Sequence, residues 1–230
     1  MKYSIFSALN KFYGKVRPWK EVVEVYKEEG VRMNELDFDD PFKNLIITIL
    51  SQNTSDRNST RAYIGLKRKF RITPRVLAKA DLRSIRDAIK SGGLYNIKSR
   101  RIKEFSQLVL KEFNGDIKPL TKLPPKELRK KLMSINGIGD KTADVFISNF
   151  TDQDTIAIDT NIKRVSRRLG LVEPRANYQK MQKALEGIFP KGKRSRGHEL
   201  LIRLGRDICK FRNPQHEKCP LNKLCPKIMT

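Results

Sequence analysis

The sequence predicts an all-α protein. Apolar residues recur at i, i+3, i+4 and i+7 along most of its 230 residues, no convincing stretch alternates with period two, and short polar or glycine breaks separate the stripes. The segment 41–51 is apolar and ends in the polar string SQNTSDRNST. Ile102, Phe105, Leu108, Val109 and Phe113 form one stripe; Leu128, Leu132 and Ile135 form the next. Phe146, Ile147 and Phe150 follow, then Ile162, Val165 and Leu169. Tyr178, Met181, Leu185 and Ile188 make another, and Leu200, Leu201, Leu204 and Ile208 the last. Breaks fall at 91–93, 114–116, 136–139 and 191–193. About ten helices with connections of roughly two to eight residues account for this pattern. No long linker divides the chain, so two domains, if present, are docked or interleaved.

The chain carries 49 Lys and Arg against 25 Asp and Glu, a net charge of +24. Such an excess points to a polyanion partner, most simply nucleic acid, whose condensed counterions Lys and Arg displace. A chain of this length buries about 70% of its unfolded surface and needs no disulfide staples. Apolar runs are too short to span a membrane. The first residues, MKYSIFSALNKFYGK, lack the apolar core and cleavage site of a signal peptide. The expected protein is soluble, intracellular and cytoplasmic.

The most informative stretch is LRKKLMSINGIGDKTADVFISNF, residues 128–150. Gly137 and Gly139 flank Ile138, and a second helix is expected to begin between Asp140 and Thr142. Two glycines let the backbone turn sharply and approach another molecule closely. Ile138 can anchor the turn, and the free N–H groups at the new helix start suit a DNA phosphate. Gly137, Ile138, Gly139 and Thr142 are the expected DNA-binding set. Lys141 lies just inside that helix, where the field of the N-terminus disfavours a cation and favours the free amine. A free amine is a nucleophile that forms a Schiff base; a phosphate-binding surface lysine is the other reading.

Eighteen residues on, Asp159 leaves the apolar run Ile156, Ala157 and Ile158 at the start of a basic helix. It reads as an N-cap. It also reads as a rigidly held carboxylate able to support a cationic sugar in the transition state.

These residues resemble the helix-hairpin-helix DNA glycosylases of the endonuclease III type. The likeness rests on the hairpin with Lys141, on AIDTNIKRV around Asp159, and on ILSQNTSDRN (49–58), GLYNIKSRRI (93–102) and HELLIRLGRDIC (198–209), and covers roughly 34–228. It implies two interleaved helical domains. One is a six-helix domain at 34–153 containing the hairpin; the other joins 1–33 to 154–230. It implies excision of oxidised pyrimidines from double-stranded DNA by a monomer, with cleavage of abasic sites through a Schiff base and β-elimination. Lys141 falls on the family's nucleophile and Asp159 on its essential aspartate, the two facing each other across a cleft. Gln52 and Asn53 lie where the family inserts a polar side chain into the gap left by a flipped base; either can fill it. A glycosylase for oxidised guanine or mismatched bases is an alternative, and a non-catalytic DNA-binding protein another. His198 is expected to be structural.

All three cysteines lie close together, with a histidine at family spacing: Cys209-x6-His216-x2-Cys219-x5-Cys225. Clustered cysteines in a reduced protein read as a metal site before a disulfide. The resemblance implies a [4Fe–4S] cluster, with His216 standing where the family has a cysteine. Three Cys and one His also make a structural zinc set, and an empty loop is the third reading. The hairpin, the basic helix 163–168, the run 191–196 and the loop cations Lys210, Arg212, Lys218 and Lys223 are expected to share the charge along one DNA-facing surface.

Overall fold

The computed structural model describes residues 2–15, 19–32 and 38–228. Within them the chain is all-α: twelve α-helices, short 3-10 turns and no strand. It forms two compact units, residues 17–146 and residues 1–16 with 147–230.

The first unit holds α2 (Lys20–Glu28), α3 (Pro41–Ser51), α4 (Asp56–Lys69), α5 (Pro74–Lys79), α6 (Leu82–Ala88), α7 (Tyr95–Phe113) and α8 (Pro125–Met133). Local chemistry sets their starts. Asp40, Ser55, Thr73 and Asp81 cap α3 to α6 by accepting the N–H of the residue three positions on. Proline stands in the first turn of α3, α5 and α8, where no N–H is missed. The predicted stripes point inward: Leu45, Ile46, Ile49 and Leu50 of α3 are fully buried, and Phe42 stacks on Phe105 of α7 at 5.2 Å.

α9 (Asp140–Phe150) runs across the division between the units. The second unit continues with α10 (Thr160–Arg168), α11 (Tyr178–Glu186) and α12 (Arg194–Asp207), and includes α1 (Lys2–Tyr13). Ile162, Val165, Met181, Leu185, Leu200, Leu201 and Leu204 are its core, and Phe6 meets Phe189 edge-on at 6.1 Å. At Gly205 on α12 an added Cβ would come within 2.8 Å of the Asn161 side chain, so α10 and α12 pack closely there.

The expected domain boundary between residues 33 and 34 falls outside the described residues. α2, expected with the second domain, instead packs on α4, where Val25 and Tyr26 bury themselves against Ile64.

Candidate nucleic-acid interface and catalytic residues

The predicted hairpin forms between α8 and α9. Gly137 has φ +86°, a left-handed conformation that other residues adopt only with strain. Gly139 lies outside that region, is exposed, and an added Cβ there would meet nothing within 4 Å. The two glycines therefore differ: Gly137 makes the turn, and Gly139 leaves open space beside the backbone. Ile138 is buried and its N–H returns to the Ile135 carbonyl at 3.0 Å. The first intrahelical bond of α9 runs from Ala143 N–H to Gly139 O, so the N–H groups of 139–142 precede the ladder. Thr142 is buried, which confines any outward contact it makes to its backbone. Arg129 of α8 pairs with Asp140 at 2.5 Å and with the buried Asp144, binding the two arms together.

Lys141 is exposed in the first turn of α9, and its side chain has no hydrogen-bond or ion-pair partner among the described residues. Asp159 caps α10: Oδ1 accepts the Ile162 N–H at 2.7 Å, and Oδ2 accepts the Asn161 amide at 3.0 Å. Asn161 Oδ1 in turn accepts from Arg164, which also donates to the carbonyls of Gly205 and Cys209 at 2.8 and 3.0 Å. The capping and functional readings of Asp159 thus concern one held carboxylate.

In the loop joining α3 to α4, Gln52 is half-buried. Its amide donates to Gly137 O and its carbonyl accepts from Arg101, both at 2.9 Å. Asn53 is exposed, has φ +51° and makes no side-chain bond among the described residues. Beneath this loop lies Lys98, only 1% exposed, donating to Leu50 O at 2.7 Å and Gly92 O at 2.8 Å. Burial, helped by Arg101, pushes its pKa down to about 8. In the unfolded chain it titrates near 10.5. Between these values the unfolded chain holds a proton that the folded chain has released. Stability from this group therefore rises with pH across that window, by up to about 1.4 kcal/mol per pH unit, and is flat below it. Denaturant titrations across pH 8 to 10.5 are expected to show that slope in the wild type and to lose it in Lys98→Met.

Cys209, His216, Cys219 and Cys225 line one small cavity with the apolar Val165, Leu169, Leu204 and Ile208. The thiols are free and half-buried. Among the described residues no three His, Cys, Asp or Glu side chains converge as a metal-holding group. Burial pushes the Cys219 thiol up; a backbone hydrogen bond at Leu221 opposes this, and Cys225 and Cys209 reinforce it. Arg168, 3% exposed, sends one guanidinium nitrogen to Lys210 O and another to Phe211 O, at 2.6 and 3.0 Å.

The expected basic surface of 163–168 is corrected for two of its cations. Arg164 and Arg168 face the cysteine loop and spend their donors on its carbonyls, as a planar guanidinium with five N–H groups can. Arg194 and Arg196 are likewise taken up, by Asp154 and Glu186 and by Asn10 and Glu199. His198 Nδ1 lies 2.8 Å from Ala157 O.

A protein-family model, the HhH-GPD superfamily base excision DNA repair protein, matches residues 46–191. The chain belongs to this superfamily. Within it, the chain is 34% identical to endonuclease III of Thermotoga maritima, covering 81% of this chain and 83% of the relative. It is 35% identical to endonuclease III of Sulfolobus acidocaldarius, covering 80% and 81%. A solved structure of a trapped endonuclease III–DNA covalent intermediate, an estranged-adenine complex, superposes with a TM-score of 0.73 at 32% identity, covering 90% of this chain and 92% of that one.

Three residues of this HhH-GPD protein escaped sequence reasoning. Lys98 and Arg101 look like ordinary surface cations on a helix; only the fold turns them inward. Leu94, between Gly93 and Tyr95, is half exposed in a left-handed conformation with φ +49°. An exposed, strained leucine is a functional signal that a sequence pattern does not carry.

Proposed function

We propose that this protein is a bifunctional DNA glycosylase and abasic-site lyase that removes oxidised pyrimidines from duplex DNA. The carrying observation is Lys141: an exposed, unpartnered amine one turn after a glycine hairpin whose leading N–H groups and open Gly139 face can receive a phosphate. Its Nζ bonds to the sugar C1′ as the bond from C1′ to the base breaks, and the base leaves with a proton. The amine then gives up a proton, the C1′–O4′ bond of the sugar ring opens with a proton going to O4′, and a protonated imine joins C1′ to Nζ. Loss of a C2′ proton then expels the 3′ phosphate, and water releases the lysine. Asp159 supplies the negative charge that supports the cationic sugar and accepts the amine proton. Of Gln52 and Asn53, only Asn53 is free to enter the gap left by a flipped base. Leu94 suits an apolar wedge into the stack. Named relatives at 34 and 35% identity favour the endonuclease III chemistry. Borohydride trapping on abasic duplex tests this reading: a covalent adduct supports it, and its absence with active-site lysine intact sinks it.

Cys209, His216, Cys219 and Cys225 are read as the holders of a [4Fe–4S] cluster. Three thiols and an imidazole lining one cavity are donor types that such a group takes, although no three of them converge among the described residues. When bound, the cluster's contribution is to fix the loop 209–225. Elemental analysis and visible absorbance of protein purified without oxygen are expected to show iron; zinc without iron would overturn the assignment.

A further inference from the structure

Gln52 is used at both ends. Its carbonyl accepts a hydrogen bond from Arg101 and its amide donates one to Gly137 O, at 2.9 Å each. Reversing the amide would set its NH2 against the guanidinium and its oxygen against a carbonyl, so the network permits one orientation. Arg101 does a second thing. Its stem lies over the hairpin so closely that a Cβ on Gly137 would sit 2.9 Å from Arg101 Cδ. One turn earlier on α7, Lys98 fastens the same helix to the end of α3 through Leu50 O. The peptide joining Gly137 to Ile138 is therefore held on both sides, by Gln52 at the carbonyl and by Ile135 O at the N–H. Glycine at 137 would otherwise leave that peptide free to rotate.

We propose that Gln52 and Arg101 are positioning residues: together they latch the glycine hairpin so that the N–H groups of 139–142 keep the aim a phosphate needs. The inference rests on the DNA-binding reading for its purpose. The latch itself is a property of the free protein. It makes Gln52 and its neighbour opposite in role: Gln52 serves every duplex the hairpin grips, and Asn53 serves only the lesion.

Gln52→Met keeps the volume and removes both hydrogen bonds. In the DNA-free variant, amide hydrogen exchange in 136–140 is expected to quicken about tenfold, the order that losing these bonds supplies. Affinities for intact and for abasic duplex are expected to fall by one common factor, also about ten, with their ratio preserved. Asn53→Ala, by contrast, is expected to shrink that ratio. Hairpin exchange at the wild-type rate in Gln52→Met would overturn the latch. So would a loss confined to abasic duplex, which would make Gln52 a gap-filling residue. If the wild type bound no duplex, the proposed function would fail, and the exchange measurement would still decide the latch.

Discussion

Lys141→Ala is expected to abolish the borohydride-trapped adduct and to slow cleavage of abasic duplex by at least about 10³-fold, the scale of losing a covalent nucleophile. The structure separates that loss from any loss of fold. Lys141 is exposed and has no hydrogen-bond or ion-pair partner among the described residues, so its removal breaks no polar contact there. It sits in the first turn of α9, where the helix field disfavours a cation. Alanine there is expected to stabilise slightly, by about 0.3–1 kcal/mol. Melting curves beside single-turnover rates check both halves. A variant that still traps, or one that loses activity only because it unfolds, contradicts the assignment.

Asp159 gives the second large effect, and the choice of variant matters because the residue has two duties. Its Oδ1 caps α10 through the Ile162 N–H. Asparagine caps as well as aspartate, so Asp159→Asn keeps the helix start while removing the charge and the bond that Oδ2 accepts from Asn161. Its cleavage rate is expected to fall by about 10²–10⁴-fold, the range of a lost general base. Stability is expected to shift by less than about 1 kcal/mol. Asp159→Ala loses the cap too and is expected to cost about 1 kcal/mol more. Equal activity of wild type and Asp159→Asn would leave the cap as its whole role.

The same logic shows why some features were legible in the sequence and others were not. The stripe Leu128, Leu132 and Ile135 and the stripe Leu200, Leu201, Leu204 and Ile208 announced helices because burial of one face repeats at the helical period, and all seven residues are buried. The glycine hairpin announced itself because a positive φ and an open backbone leave few residue choices. Cations carried no such information. Arg101, Arg164 and Arg168 look alike in a +24 chain, yet Arg101 steadies the hairpin and the other two brace the cysteine loop. A long flexible side chain takes its role from whatever carbonyl the fold brings within reach.

By itself, the sequence determined the all-α class, the order of the helices and the residue types available for chemistry: an amine after a glycine turn, a carboxylate at a helix start, and thiols with an imidazole on one loop. These follow from local backbone preference and from periodic burial, which neighbouring residues settle among themselves. Only the tertiary structure decided which of two adjacent amides is engaged and which is free, which glycine turns and which leaves room, and which arginines face inward. Those choices depend on contacts such as Gln52 with Gly137, 85 residues apart. Packing makes such contacts, and no local pattern encodes them.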